Sequence, residues 1–492
     1  MLSIFASPSI AQFADVRPCP ADLQLGFDSI TTEQIRSMVS VLAGPNFEGR
    51  GTGQKGYKKA AHWVAGKLAE FGVEPIYADG GYFQSVPLQE KVPIIEECYI
   101  RAAGGVTIKA QGNIGFNTYS SKPSVLGKLI FIRCPTGRFK IPQSVVLRDA
   151  IVIYWADDSA WKYASQKIES HQPAAMLRVV DGSLQSINQP TYATQPPMAI
   201  RGNISSTAVD RLLASSGLKP IGEAPPSPEE VAIKTSRNTV SLANPVRIRQ
   251  IEVPNVIGVI PGSDPNLRHE HIVIGAHLDH IGITSRGIFR GADDNGSGCS
   301  AVLSIAKALM TNAIRPKRSV MLIFFAAEEI GLVGSNYYCQ RPVLPLQDVT
   351  CMLNVDMIGR NESSAKETAD ENEGSIHLIG ARQGGNTLHD VILDANQYIG
   401  FRFELDEEAI FDRSDQYNFY RKGVGTAFLF GGFHPDYHRQ TDRIDRLNFK
   451  KIQAAARLYY LTVFKADQHG PFPVVFQPPK KRQPIQNRNR NR

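Results

Sequence analysis

The chain has 492 residues, of which 42% are hydrophobic and 21% charged, and these values are ordinary for a globular protein. A single simple core rarely supports such a length, so we expect two domains or one large domain with an insertion. No apolar run approaches the ~18–20 residues that a membrane-spanning helix needs, and we therefore expect that the chain does not span a membrane.

The two ends differ in composition from the rest of the chain. The formal net charge of +7 comes mostly from residues 480–492, which carry six basic and no acidic side chains, so the remainder sums to only +1. We interpret residues 471–492 as a basic, disordered tail, and the lack of a nucleic-acid motif predicts no nucleic-acid partner. Residues 1–20 are either a signal-peptide remnant or a frayed N-terminus, and the first alternative predicts a secreted or periplasmic protein.

The first half of the chain contains two kinds of segment. Residues 31–72 hold two helical patterns around a Gly-rich loop, and the second helix has one apolar face and ends at Gly72. Over residues 92–240, short apolar runs such as GKLIFI and DAIVIYWA alternate with helical stretches, so we expect a separate α/β module there. The six cysteines form no CxxC pair, and we interpret most of them as buried thiols.

From about residue 250 the sequence becomes a regular alternation of strands and helices. The predicted strands are NVIGVIPG, EHIVIGAHLDH, RSVMLIFFAAEE, VTCMLNVDMIG and GTAFLFGG, and the predicted helices are GSGCSAVLSIAKALM, NTLHDVILDANQYIG and FKKIQAAARLYYLTVFKAD. This alternation predicts an α/β fold with a mostly parallel central sheet flanked by helices. In sheets of this kind, ligands bind at the carboxyl ends of the strands.

Acidic and imidazole side chains stand at the carboxyl end of each predicted strand. They are His277 and Asp279, the Asp293–Asp294 pair that opens a helix, Glu328 and Glu329, Asp356, and His438. One histidine together with carboxylates is a ligand set that suits zinc, and two such sets that share a carboxylate make the two-metal arrangement of hydrolases. The sequence therefore predicts a metal site at this edge of the sheet.

The spacing of these residues separates their roles. Adjacent side chains on a strand point to opposite sides, so one of Glu328 and Glu329 can bind metal while the other faces the reacting water. His277 and Asp279 share a side, which suits a metal ligand and a carboxylate that fixes the orientation of its imidazole. We interpret His280 as a loop residue, and Pro435 argues against a helical zinc pair of His434 and His438.

The segments GAHLDHIG, GADDNGSG, FFAAEEIGLVGS, NVDMIG and YHRQTD occur in this order at the predicted strand ends. With the N-terminal segment LAGPNFEGRGTGQKGYKKAAHWVAGKLAEFGV, they resemble the di-zinc aminopeptidase family, which also includes glutamate carboxypeptidase. The resemblance extends from about residue 28 to 466. It implies a zinc exopeptidase domain formed by residues 21–91 and 241–470, with an inserted domain over 92–240 that is similar to a protease-associated domain.

The resemblance also implies a role for each matching residue. The implied ligands are His277 and Asp356 on one zinc ion, Glu329 and His438 on the other, and Asp294 as the bridge between them. Glu328 would be the general base, Asp279 would orient His277, and Tyr437 would donate a hydrogen bond to the developing oxyanion. A cis peptide bond is implied between Asp294 and Asn295.

The implied function is that of a metallo-exopeptidase with two zinc ions per chain. It would hydrolyse the N-terminal residue from peptide substrates with a water activated between the metals and Glu328 as base. A carboxypeptidase or dipeptidase of the same family is the first alternative, and a receptor-like binding protein without catalysis is the second. Arg439-Gln440 and Gln416 depart from the common family pattern, and they bear on substrate preference because no implied ligand is lost.

Overall fold

The computed structural model describes residues 16–476, apart from gaps at 78–79, 103–104, 118–121, 135–138, 158, 183, 185–188, 192–198, 219–230, 285–286, 364–366, 384, 386 and 406. The chain divides into two compact units. The first comprises the described parts of 1–86, 254–282 and 289–492, and the second comprises those of 87–253 and 283–288. The module predicted over 92–240 falls within the second unit, which is wider because the long strands at each end of the module continue past those limits.

In chain order, the described α-helices are α1 (Gln24–Ser29), α2 (Thr32–Leu42), α3 (Lys55–Glu70), α4 (Trp161–Glu169), α5 (Ser206–Ser215), α6 (Gly298–Thr311), α7 (Val333–Gln340), α8 (Thr387–Asn396), α9 (Gln416–Tyr420) and α10 (Phe449–Ala466). The two predicted helices within 31–72 correspond to α2 and α3. Within the described part of the chain, no helix combines the length and apolar character that crossing a membrane requires.

The strands are β1 (Glu74–Pro75), β2 (Phe83–Pro93), β3 (Tyr99–Ala102), β4 (Thr107–Lys109), β5 (Ile114–Asn117), β6 (Ser124–Arg133), β7 (Ile151–Trp155), β8 (Ala175–Val180), β9 (Gln189–Thr191), β10 (Ile200–Ser205), β11 (Ala232–Ala243), β12 (Val246–Ile260), β13 (His271–His277), β14 (Gly282–Thr284), β15 (Gly287–Phe289), β16 (Ser319–Phe325), β17 (Val349–Asp356), β18 (Ser375–Ile379), β19 (Arg402–Glu404) and β20 (Thr426–Phe430).

The main sheet of the first unit contains its strands in the order β19-β18-β20-β17-β13-β16-β12. The four central strands, β20, β17, β13 and β16, are parallel to one another, whereas β12 and β18 run antiparallel to their central neighbours. The prediction of a mostly parallel sheet is therefore confirmed at its centre. Because the central strands are parallel, their carboxyl ends meet at one edge of the sheet.

The central strands are near-continuous apolar runs because helices cover both faces of the sheet. Every residue of β13, β16, β17 and β20 is buried. On one face, Met321 and Phe325 pack with Tyr338 of α7 and Phe419 of α9. The alternate strand residues point to the other face, where α6 contacts β13, β16 and β17 and also packs against α10.

The second unit is built around an eight-stranded sheet in the order β4-β3-β11-β6-β7-β8-β10-β5. Strands β6, β7, β8 and β10 are parallel, and β5, β11 and β3 pair antiparallel with their neighbours. One apolar cluster includes Val209 and Leu212 of α5, and a second includes Ala164 and Ile168 of α4. The unit is thus an α/β module with its own core, and its kinship with protease-associated domains stays a prediction.

The chain ends contribute to the first unit beyond the predicted limits. Residues 1–15 and 477–492, which contain most of the predicted signal remnant and basic tail, lie outside the described residues. The main-chain N–H of Phe472 donates to the carbonyl of Thr350 at 2.9 Å, and that of Val474 donates to Gly423 at 3.0 Å. These bonds correct the predicted start of the tail at residue 471, because the packed chain continues to at least Val474.

Candidate metal centre

The predicted metal ligands lie where the parallel strands of the first unit end. His277 is the last residue of β13, and Asp356 is the last residue of β17. Glu329 follows the end of β16, Asp294 lies in the turn that precedes α6, and His438 follows β20. The structure brings all of these side chains together at one edge of the sheet, in two groups that share Asp294.

The first group surrounds the imidazole of His277. Its Nε2 atom lies 3.1 Å from Oδ1 of Asp356 and 3.4 Å from Oδ1 of Asp294. The hydroxyl of Ser414 donates to Oδ2 of Asp356 at 2.8 Å, so Oδ1 is left facing His277. The sequence analysis did not identify Ser414, although it lies in the segment RSDQYNF that departs from the family pattern.

The second group lies on the other side of Asp294. His438 Nε2 is 3.1 Å from Oδ2 of Asp294 and 3.2 Å from Oε2 of Glu329. His280 Nδ1 is 2.8 Å from Oε1 of Glu329 and 3.6 Å from Oδ2 of Asp294. Asp294 therefore presents one carboxylate oxygen to each group. His280, interpreted above as a loop residue, is buried in this group, and its position one residue after Asp279 was the only sequence signal for it.

The two glutamates reach the site from a turn rather than from a strand, which corrects the prediction. Strand β16 ends at Phe325, and Ala327 adopts a left-handed conformation with φ of 57°. The Glu329 carboxylate faces the second group, whereas the Glu328 carboxylate lines the cavity beside His277. Within the described part of the chain, the Glu328 carboxylate makes no hydrogen bond, and burial raises its pKa well above the usual range.

Asp279 supports the site differently from the prediction. The His277 Nδ1 atom lies 3.0 Å from the main-chain carbonyl oxygen of Asp279 but 4.0 Å from its carboxylate. That carboxylate instead accepts hydrogen bonds from the main-chain N–H groups of Glu328 and Glu329, at 3.0 and 3.3 Å. Since β13 ends at His277, strand alternation no longer directs the Asp279 side chain. Asp279 therefore orients His277 through its carbonyl and positions both glutamates through its carboxylate.

The segment around Asp294 is held by a further carboxylate. Asp442 accepts hydrogen bonds from the main-chain N–H groups of Asp293, at 3.0 Å, and Asp294, at 3.2 Å. The peptide bond between Asp294 and Asn295 is cis, which confirms the expectation from the family resemblance. Asp293 pairs with His434 at 3.1 Å, and both side chains are fully buried, so the structure places neither of them in the two groups.

Arg50 organises the loops behind the centre. Its guanidinium is fully buried and donates to four main-chain carbonyls, those of Leu42, Leu278, Arg290 and Gly291, at 2.7–2.9 Å. Leu278 lies between His277 and Asp279, so one buried cation ties the N-terminal segment to the ligand loops.

Replacing Arg50 with methionine is expected to lower the free energy of unfolding by about 3–5 kcal/mol, because it leaves buried carbonyls without donors. Urea denaturation measures this change. Arg211→Met is the matched control, since Arg211 is exposed on α5, and it should change stability by less than about 0.5 kcal/mol. Equal stabilities of the two variants would contradict the role given to Arg50.

The carboxylates of the two groups place several negative charges close together, and a nearby positive charge stabilises them. Burial lowers the pKa of His438, but hydrogen bonds to Asp294 and Glu329 outweigh it and raise this pKa to about 10. Burial and the charge of Asp294 raise the pKa of Glu329, yet hydrogen bonds from His280 and His438 lower it to about 2. Nitrogen and oxygen donors around such an excess of negative charge fit a divalent cation such as zinc.

The cavity beside the two groups has a partly apolar lining. Its apolar lining consists of Met357, Ile410, Phe428, Phe430 and Phe433. At its edge, the guanidinium of Arg413 donates to the hydroxyl of Tyr437 at 3.3 Å. The ring of Tyr437 stacks on that of His438 with a centroid distance of 3.9 Å. The cavity lining therefore combines carboxylates and imidazoles with apolar side chains and the guanidinium of Arg413.

Imidazole and carboxylate donors at the carboxyl ends of parallel strands suit a metal-dependent enzyme. The family model described as "Peptidase family M28" matches residues 255–463, and this part of the chain is a peptidase M28 domain. The family resemblance stated from the sequence motifs is thereby confirmed. The match does not include residues 87–253, which form most of the second unit.

Curated relatives share this region of the chain. Aminopeptidase YwaD of Bacillus subtilis (strain 168) is 28% identical over 221 residues, which are 43% of this chain and 44% of the relative. Leupeptin-inactivating enzyme 1 of Streptomyces exfoliatus is 29% identical over 207 residues, which are 42% of each protein. The chain spans about half the length of the curated relatives it matches.

Solved structures match a larger part of the chain. BSAP, a zinc aminopeptidase from Bacillus subtilis, has a TM-score of 0.58 and 17% identity, covering 89% of this chain and 95% of that chain. An aminopeptidase from Aneurinibacillus sp. strain AM-1 has a TM-score of 0.54 and 18% identity, covering 93% and 98%. At this identity the likeness establishes the fold, and it confirms the predicted α/β architecture.

Proposed function

We propose that the protein is a zinc-dependent aminopeptidase that removes the N-terminal residue from peptides. The observation that carries this proposal is the position of Asp294, whose two carboxylate oxygens face two separate groups of ligand-type side chains at 3.1–3.4 Å. The names of the relatives and of the structural neighbours, which are aminopeptidases and zinc aminopeptidases, support the same activity.

Two zinc ions per chain would be held at this centre. We assign His277 and Asp356 to one ion, Glu329 and His438 to the other, and Asp294 to both. When bound, zinc supplies a Lewis acid that lowers the pKa of water and polarises a carbonyl group. His280, whose Nδ1 would donate to Oε1 of Glu329, would keep the second carboxylate oxygen of Glu329 directed at its ion.

Three further residues would act on the substrate or position those that do. The Glu328 carboxylate, which lines the cavity beside His277, would accept a proton from the attacking water and later donate it to the leaving amine. The Tyr437 hydroxyl would donate a hydrogen bond to the oxyanion. Asp279 would hold the main chain of Glu328 close to His277, because it contacts both residues.

The cavity suits a free amino terminus that carries an apolar side chain. An α-ammonium is compatible with the excess negative charge of the carboxylate groups, and the phenylalanine rings of the cavity wall suit an aliphatic or aromatic side chain. Purified full-length protein loaded with zinc should therefore release leucine or phenylalanine from short peptides. N-acetylated versions of the same peptides should be cleaved at least about 100-fold more slowly. Equal cleavage of free and acetylated peptides would overturn the proposed specificity.

Arg413 favours a second candidate function, that of a dipeptidase or carboxypeptidase. Its guanidinium is exposed at the cavity edge, where it can bind the carboxylate of a short substrate. The two functions differ in their response to the substrate's C-terminus. An aminopeptidase should cleave a dipeptide and its C-terminal amide at similar rates, whereas a dipeptidase should lose most of its activity on the amide. In a dipeptidase, Arg413→Leu should abolish the preference for the free dipeptide over its amide.

Two finer predictions about the whole protein are also proposals. We propose that the second unit is a protease-associated domain and that the protein is secreted or periplasmic. One relative is named a probable lipoprotein aminopeptidase, from Mycobacterium tuberculosis, which is compatible with export. Fractionation of the producing cells tests the location, because activity confined to the cytoplasm would contradict it.

Loading zinc at pH 8 is expected to release at least about one proton per chain. Burial lowers the pKa of His277, but the Asp356 and Glu328 carboxylates have the larger effect and raise the pKa of His277 well above its usual range. The pKa of His438 is about 10. The His438 imidazole is thus protonated without metal at pH 8, and it must be neutral as a ligand. Calorimetric titration in buffers of different ionisation enthalpy measures the release, which should decrease as the pH approaches 10. Release of less than one proton would contradict the assignment.

A further inference from the structure

A second set of metal-ligand side chains lies outside the candidate metal centre, within the first unit. It consists of Glu362, His377 and Glu404, each of which offers a ligand atom within 4.8 Å of the other two. His377 Nε2 is 2.8 Å from Oε2 of Glu362 and 3.6 Å from Oε2 of Glu404. His377 is only 2% exposed, so two carboxylates converge on one buried imidazole nitrogen.

The sheet and one loop build this cluster. His377 of β18 stands directly beside Glu404 of β19 in the parallel register, so both side chains lie on the same face. Glu362 comes from the loop that follows β17. A side chain at Gly432 would place its Cβ 2.3 Å from the Cβ of Glu362, so glycine is needed there for Glu362 to approach.

The separations within the cluster match a metal site of ordinary dimensions. Zinc bonds to nitrogen and oxygen of ~2.0–2.2 Å in a tetrahedron place neighbouring ligand atoms ~3.3 Å apart. The observed separations of 2.8 and 3.6 Å lie on either side of this value. A single imidazole nitrogen carries at most one proton, so hydrogen bonding alone cannot satisfy both glutamates equally, whereas a cation between them contacts both.

Neighbouring groups orient the glutamates without occupying the space between them. The Arg402 guanidinium lies 3.4 Å from Oε1 of Glu404, which leaves Oε2 facing His377. Lys451 is buried nearby, but its ammonium donates to the main-chain carbonyl of Asn372 at 3.3 Å and forms no ion pair with a described carboxylate. Partners that fix the direction of a carboxylate in this way are typical of metal sites.

We propose that Glu362, His377 and Glu404 bind one additional divalent cation, with zinc as the best match to one imidazole and two carboxylates. The cation would join the loop after β17 to the edge strands β18 and β19. Gly432, which contacts Glu362, belongs to the segment that leads from β20 to His438. The additional cation would therefore stabilise the part of the chain that carries one side of the candidate metal centre.

The experiment counts zinc ions in full-length protein whose candidate metal centre is disabled. Metal-free Asp294→Ala protein is titrated with zinc alone, and bound zinc is measured by equilibrium dialysis and elemental analysis. The proposal predicts that this protein binds zinc and that Glu404→Gln weakens the zinc affinity. The loss should exceed ~10–100-fold, which is the cost of removing a residue that only hydrogen-bonds to a metal ligand. Glu404→Gln preserves the size of the side chain, and Glu70→Gln on the exposed end of α3 is the matched control, which should leave the affinity unchanged.

A second readout separates a metal site from a simple ion-pair cluster. Zinc should raise the melting temperature of the Asp294→Ala protein, and this increase should become smaller when Glu404→Gln is added, because any zinc still held at the candidate metal centre is common to both proteins. If Glu404→Gln lowers the melting temperature but zinc binding and its stabilising effect stay the same, the cluster is an ion-pair network and the proposal is overturned. Because Asp294 is absent from both proteins, this outcome is independent of whether the proposed peptidase activity is correct.

Discussion

Replacing Glu328 with glutamine should lower kcat for peptide hydrolysis by about 10²–10⁴-fold, the range expected when a general base is lost. Glutamine has nearly the same size but cannot accept the proton of the attacking water. The ligand groups around Asp294 keep their side chains in this variant, so its zinc content should equal that of the unchanged protein. The expected result is a folded, metal-loaded protein with little turnover.

Steady-state kinetics and elemental analysis on one preparation measure both parts of this prediction. Glu70→Gln is the matched control, because Glu70 lies at the exposed end of α3 and pairs with Lys67. It should retain full activity and full zinc content. Undiminished hydrolysis by Glu328→Gln would refute the assignment of Glu328 as the base, and loss of zinc in that variant would assign it to the ligands instead.

Replacing Asp294 with alanine should have the largest effect on the centre, because one side chain serves both donor groups. We expect the protein to lose at least one of the two proposed zinc ions and to lose at least about 10³-fold in kcat/KM, which corresponds to about 4 kcal/mol of transition-state stabilisation. Neither His277 nor His438 would keep its contact with the shared carboxylate.

Zinc content and kcat/KM are compared with those of Asp412→Ala, in which an exposed aspartate is removed near the cavity edge. This control should behave as the unchanged protein. Full occupancy of both sites in Asp294→Ala would show that Asp294 is not a bridge. Unfolding of the variant is checked by circular dichroism, and the milder Asp294→Asn then replaces it, with the same expected order of zinc loss.

The general position of the centre was predictable from local patterns. Long apolar runs at β13, β16 and β17 identified buried parallel strands, and the polar residues after them had to meet at one edge because parallel strands end together. His277 and Asp356 are the last residues of their strands, so the strand pattern alone placed them. The family motifs added Asp294 and His438, whose loops have no such regularity.

The contacts that depend on turns were not predictable from strand alternation. Asp279 and the two glutamates follow strand ends. Beyond β16, Ala327 has a left-handed backbone conformation, so the side chains after it no longer alternate between the two faces of the sheet. As a result, the Asp279 carboxylate holds the glutamate main chain rather than His277, and His280 turns inward to Glu329. Ser414 reaches Asp356 from a position 58 residues away, a separation at which sequence spacing carries no information.

The sequence by itself determined the α/β fold of the first unit and the chemical types of its ligands, because burial patterns and motifs are properties of short segments. Only the tertiary structure decided which donors face one another. It paired the two oxygens of Asp294 with different histidines and aligned His377 with Glu404 across neighbouring strands. The physical reason is that side-chain direction after a strand ends depends on turn conformation and packing between distant segments, and neither is set by local residue spacing.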